Sequence, residues 1–195
     1  THKTWSFSLE NPETTYNVYK QSNTEVSQQQ IVPDLSIKKT FEGKRGKLSI
    51  AGLYRTLGGR DSTNKYLAHS GFGITSGGRF KVGNKGDDIR LVATYGYGLG
   101  RYVAVNFVSS AVLDSNTNIN VTSTLNGYIA YNHFWKEDKF SSSFNVGGFN
   151  AWQDKNIVGG QANKLTYSGS VNFLYHIAPQ LMTGVEMMYG YREVV

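Results

Sequence analysis

"LTYSGSVNFLYHI", Leu165 to Ile177, separates into two lists when every second residue is read. Leu165, Tyr167, Gly169, Val171, Phe173, Tyr175 and Ile177 form one; Thr166, Ser168, Ser170, Asn172, Leu174 and His176 form the other. Alternate residues of a strand point to opposite faces. This stretch is therefore a strand with an apolar face, tyrosines toward its ends, and a face of mostly small polar residues. The fold depends on which solvent each face meets.

The same period recurs along the chain. Trp5, Phe7 and Leu9 alternate with serines; Leu35, Ile37 and Phe41 oppose Ser36, Lys38 and Thr40; Leu48, Ile50 and Tyr54 oppose Ser49, Ala51 and Arg55. Further stretches follow at 71–80, 89–97, 124–135, 140–152 and 181–192. This predicts about nine strands, most of about 8–14 residues, where the mean globular strand has about five or six. The connections alternate in length. "EGKRGK" (42–47), "VGNKGDD" (82–88), "KEDK" (136–139) and "APQ" (178–180) are short; 11–33, 57–65, 98–121 and 153–163 are long and polar. An up-and-down meander with two unlike ends is the pattern of a transmembrane barrel, with short turns on one side and longer loops on the other.

The totals agree. Charged residues make up 17% of the 195, against about 25% in an average soluble domain. Mean hydropathy is −0.39, and no apolar run approaches the roughly 18–20 residues of a membrane helix. There is no cysteine, which excludes disulfide scaffolds and thiolate metal sites. The net charge of +6 suits an anionic partner without naming it. No composition break divides the chain, so 1–195 reads as a single domain. It opens Thr1-His2-Lys3-Thr4-Trp5 with no leader pattern, as if a signal had been removed or the chain began mid-protein.

Alternation alone also fits a β-sandwich whose apolar faces meet in a core. Strand length, loop asymmetry and aromatics near strand ends (Trp5, Tyr54, Tyr97, Trp135, Trp152, Tyr175, Tyr189, Tyr191) favour lipid, with the aromatics at headgroup level. The fold class is then all-β: an antiparallel up-and-down transmembrane β-barrel whose small polar face lines water.

A watery lumen gives arginine a task. Arg55, Arg90 and Arg192 fall on polar faces, Arg79 and Arg101 beside glycine-rich stretches, and Lys38 on the polar face of its strand. Guanidiniums bind carboxylates bidentately and, grouped in a narrow pore, select anions. Glu186 lies on the same kind of face, where an arginine neighbour would neutralise it. Each arginine could instead serve as a structural pair or headgroup contact. Lysines and Arg45 crowd the short turns, as solvated turns beside a membrane do. "GYGLGR" (96–101) lacks the full spacing of a phosphate loop, and Tyr102 to Val105 reads as strand. Its glycines would let a strand bend inward or a loop fold into the lumen. His2, His69, His133 and His176 show no metal spacing, and no catalytic constellation appears. No enzyme and no cofactor is expected. The polar stretch "NPETTYNVYKQSNTEVSQQQ" (11–30) is a loop folded into the pore, an external loop, or a latch on a neighbouring subunit.

Several segments carry a resemblance: "WSFSLENPETTY" (5–16), "VPDLSIKKTFEGKRGKLSIAGLYRTL" (32–57), "DDIRLVATYGYGLGRYV" (87–103), "YNHFWKEDKFSSSFNVGGF" (131–149) and "GVEMMYGYRE" (184–193). Together they resemble the DcaP-like family of Gram-negative outer-membrane porins. The resemblance implies a sixteen-stranded barrel, a homotrimer in the outer membrane among lipid and lipopolysaccharide, and diffusion of small anionic solutes such as dicarboxylates through a basic constriction. About nine strands cannot close such a barrel, since closed bacterial barrels have even strand numbers. The chain thus reads as an internal portion of a longer porin. The rivals are a soluble secreted carbohydrate-binding β-sandwich, a barrel enzyme, and a nucleic-acid binder. The last needs its basic residues on a continuous face, whereas here they divide between turns and lumen.

Overall fold

The computed structural model describes residues 2–13, 16–18, 32–60, 66–83, 86–103, 107–114, 118–136 and 139–195. Twelve strands follow in chain order: β1 (His2–Glu10), β2 (Tyr16–Val18), β3 (Asp34–Gly43), β4 (Gly46–Arg60), β5 (Tyr66–Val82), β6 (Asp87–Tyr97), β7 (Ala111–Leu113), β8 (Ile119–Val121), β9 (Ser123–Lys136), β10 (Phe140–Trp152), β11 (Asn163–Ala178) and β12 (Leu181–Val194). Nine make one sheet in the order β1-β3-β4-β5-β6-β9-β10-β11-β12, and β2, β7 and β8 make a second, three-stranded sheet. The large sheet is antiparallel throughout and links chain neighbours, so the meander expected from the connections is the observed topology.

The register aligns the period-2 pattern across the sheet. Phe7 sits opposite Ile37, Ile37 opposite Gly52, Gly52 opposite Ile74, and Ile74 opposite Tyr95. Tyr95 continues to Leu125, while Ile129, Val146 and Gly169 align farther on. A one-residue slip would turn every one of these side chains over, so the alternation excludes odd slips of the register. The apolar face is bare: Met187 is 74% exposed, and Phe7, Ile74, Phe144 and Val185 are likewise exposed. Aromatics border it at both ends. Near the long connections Tyr95 donates to Tyr97 at 2.8 Å, and Tyr167 stacks on Tyr191 at 4.9 Å. Near the short turns His133 meets Trp135 edge-on at 4.5 Å, and Phe140 stacks on Tyr175 at 5.0 Å. Two aromatic rims around an aliphatic band is the outward profile of a membrane barrel.

Among the described residues, both buried hydrophobic clusters lie on the other face, at its long-loop end. Leu99, Val103 and Val108, from the 98–121 connection, pack with Phe149 and Ala151 of the sheet; Leu57 packs with Ala111, Leu113, Ile119 and Val121. The 98–121 segment, expected as a long polar connection whose glycines let a strand bend inward or a loop fold into the lumen, carries β7 and β8 and folds down onto the polar face. Its entry requires glycine twice. Gly98 has φ +69°, and a Cβ on Gly100 would lie 2.6 Å from the Ser110 nitrogen. Tyr102 was expected in a strand but ends a 3-10 turn, Gly100–Tyr102, while 104–106 lie outside the described residues.

The expected 57–65 loop is also shorter. Gly58 and Gly59 pair with Ala68 and Leu67, so β4 runs on to Arg60. The infolded segment covers this end, and Leu57, Gly58 and Gly59 are buried. That cover explains why the sequence there looks unlike an exposed strand. Of the 11–33 stretch, β2 joins β7 in parallel and so accompanies the infolded segment; 19–31 lie outside the described residues.

Candidate functional site: the polar face of the sheet

The polar face divides into a filled end and an open one. At the filled end, side chains from β1, β3 and β4 meet the infolded segment in one charged cluster. Arg55 and Asp34 are fully buried, with Nη2 of Arg55 3.4 Å from Oδ2 of Asp34. Arg55 also donates to the Gly98 carbonyl at 3.0 Å and to that of Glu13. Tyr102 lies beneath it, its ring 5.3 Å from the guanidinium carbon. The Tyr102 hydroxyl reaches Asp34 Oδ2 at 2.9 Å and Glu10 Oε2 at 3.0 Å. Burial first, then the Asp34 carboxylate, holds its phenol well above the usual tyrosine value. Arg101 donates to the Asn11 carbonyl at 2.8 Å and lies 3.7 Å from Glu10 and from Glu13.

This placement corrects the sequence expectation for two arginines. Arg55 has no surface to offer a solute, and Arg101 is held among carboxylates. Both fasten the infolded segment to β1, β3 and β4. Their charges meet three carboxylates, Glu10, Glu13 and Asp34. The partners are far away in sequence, which is why the arginines looked available.

At the open end, near the short turns, the arrangement is the reverse. Glu42, Lys47, Arg79 and Arg90 align across β3, β4, β5 and β6. Arg79 Nη2 lies 2.6 Å from Asp88 Oδ2, and Arg90 Nε 2.7 Å from Asp88 Oδ1. Asn132 adds a third donor at 3.1 Å. The Asp88 side chain is 2% exposed while those of Arg79 and Arg90 are 60% and 45% exposed. One buried carboxylate thus pins two guanidiniums side by side and leaves them wet. Like charges directly opposite repel, and Asp88 offsets that repulsion. Lys47 has Glu42 at 3.9 Å. Lys38 is exposed on the same face and has no ion-pair partner among the described residues.

Arg192 and Glu186 lie on β12. Arg192 donates to Asn163 Oδ1 at 2.6 Å and to the Gln161 carbonyl at 3.3 Å. Glu186 is exposed opposite Asn172, and the arginine neighbour expected for it is absent among the described residues. Between the charges the face is hydroxyl and amide: Thr40 with Ser49 at 2.9 Å, Thr75 with Thr94 at 2.7 Å, Asn145 with Ser170 at 3.1 Å. No cluster of three or more His, Cys, Asp or Glu fit to hold a metal ion occurs among the described residues. The expected site thus falls into three places: Arg79, Arg90 and Lys38 on the open face, Arg55 and Arg101 in the latch, and Arg192 and Glu186 on the last strand. Sequence reasoning missed Asp88, although the acidic pair beside Arg90 in "DDIR" (87–90) was a visible signal.

No protein-family model matches the chain, and no curated protein does. A solved structure does: the outer membrane channel DcaP of Acinetobacter baumannii, with a TM-score of 0.81 over 98% of this chain at 20% sequence identity. The chain spans about half of that channel, 53% of its length. At this identity the likeness is one of fold, and the fold is that of an outer-membrane β-channel.

Proposed function

We propose that the chain forms part of the wall of an outer-membrane diffusion porin that passes small solutes and prefers anions. The observation that carries the reading is the pairing of faces: a bare apolar band with aromatic rims on one side, and on the other an open polar face where Lys38, Lys47, Arg79 and Arg90 outnumber Glu42 and Asp88. The infolded segment 98–121 narrows the lumen at the long-loop end, and the arginine row sets the field at the short-turn end. Dicarboxylate-like solutes fit paired guanidiniums, which take carboxylates bidentately. β1 and β12 each have one partner in the sheet. Free strand edges are not tolerated in lipid, so the reading includes further strands that close the wall; the homotrimer is what the resemblance to the porin family implies.

The carbohydrate-binding sandwich needs a second layer over Phe7, Ile37 and Ile50. The small sheet instead lies on the opposite face, against Leu57. Liposome swelling with size-matched solutes tests the proposal. Succinate-like dianions should enter faster than neutral sugars of equal size, and those faster than dications. Equal rates for all three would remove the charge preference and leave a simple pore.

A further inference from the structure

Two lysines sit on the apolar face, where a cation is expensive. Lys39 lies opposite Trp5 and Lys3 opposite Phe41 in the β1–β3 register. The Lys39 ammonium is 4.5 Å from the Trp5 ring centroid and 5.2 Å from that of Phe41. Neither lysine has a carboxylate partner among the described residues, and the apolar-face positions of β1, β3 and β4 contain no Asp or Glu. On the same face the Asp87 carboxylate has hydrogen-bond partners, with His133 Nδ1 at 2.7 Å and the Tyr131 hydroxyl at 2.9 Å. The quartet stands at the short-turn end, just beyond the aliphatic band and beside the exposed turn residues Lys44 and Arg45.

We propose that Lys3, Trp5, Lys39 and Phe41 form a binding site for an anionic phospholipid in the leaflet facing the short turns. Its phosphate sits between the two ammonium groups, and its acyl chains lie along Phe7, Ile37 and Ile50. The aromatic rings hold Lys39 in place by cation–π attraction, at the depth where headgroups begin. A free phosphate would satisfy the charges but not the apolar strip leading away from them; a phospholipid satisfies both. The inference rests on the membrane reading above.

The test uses the native protein in detergent and in vesicles. Native mass spectrometry reads retention of phosphatidylglycerol against phosphatidylcholine. The variants are Lys3→Gln/Lys39→Gln and, as a charge-keeping control, Lys3→Arg/Lys39→Arg, with far-UV circular dichroism confirming the sheet in each. The wild type should prefer phosphatidylglycerol. The glutamine variant should lose roughly thirtyfold of that preference at low salt, the value of two cations at an anionic surface, and the arginine variant should keep it. An unchanged preference in the glutamine variant overturns the site. Displacement of the lipid by millimolar inorganic phosphate also overturns it, because the acyl chains would then contribute nothing. Co-flotation with vesicles separates the two failures. A protein that floats but shows no lysine-dependent preference sinks the lipid site alone, and one that never floats sinks the membrane reading with it.

Discussion

At the short-turn end of the polar face, Arg79 and Arg90 share one buried carboxylate and remain in water. At the long-loop end, Arg55 beneath a folded-in segment and Arg101 within it meet three carboxylates, and their charge is used up there. In the sequence Arg55 and Arg90 read alike, on the polar faces of their strands, and Arg79 and Arg101 read alike, beside glycine-rich stretches. Whether an arginine of a barrel wall acts on a solute or on the protein depends on what folds over it, and here that is the 98–121 segment.

If the filled end is a latch, breaking its buried pair should have the largest effect. Arg55→Ala leaves Asp34 buried without its counter-charge and should cost about 3–5 kcal/mol, read as a lowered unfolding midpoint and faster proteolysis within 98–121. Adding Asp34→Asn should recover much of the loss. Leu57→Ala should cost about 3 kcal/mol through the cavity left under β7 and β8; a midpoint equal to wild type would mean that the segment is not seated on the sheet.

Tyr102 adds a pH dependence. Its phenol is held above the ordinary value, so the folded state keeps the proton longer than the unfolded chain does. Its contribution is complete below the unfolded value near pH 10 and is lost as pH rises beyond it toward the folded value. The wild-type midpoint should fall more steeply than that of Tyr102→Phe above about pH 10. The substitution itself should cost about 1–2 kcal/mol at neutral pH, through the lost hydrogen bond to the carboxylates. Parallel curves for the two proteins would remove Tyr102 from the latch.

The smallest effect in energy is the sharpest test of the comparison. Arg90→Ala should lower the anion-to-cation permeability ratio about sixfold, because one charge roughly 8 Å from a permeating ion in water shifts anion and cation by about 0.5 kcal/mol each, in opposite directions. Arg101→Ala should leave the ratio nearly unchanged while loosening the segment. Equal shifts from both would mean that the two ends do not differ in electrostatic role.

The large sheet was legible because its cause is local. Alternation at 165–177 and its counterparts gives strand and face together, and the alternating lengths of the connections give the meander. The small sheet was not legible. β2, β7 and β8 have three residues each, too few for a period, and the β2–β7 pairing joins residues about a hundred positions apart. Gly58 and Gly59 looked like loop because the sequence cannot show that another segment covers them. The candidate site followed the same rule. Polar-face membership of Arg90 and Lys38 could be read from parity, whereas the neutralisation of Arg55 needed Asp34 and Gly98 to arrive from other elements.

The central claim is that the polar face lines a water-filled, anion-preferring channel. The most direct test is the reversal potential of the native protein in a planar bilayer under a salt gradient. Stable conductance steps with a reversal potential of the sign for anion preference are the predicted result. Insertion with cation preference would contradict the basic lumen. A protein that remains soluble without detergent and yields no steps would contradict the channel itself.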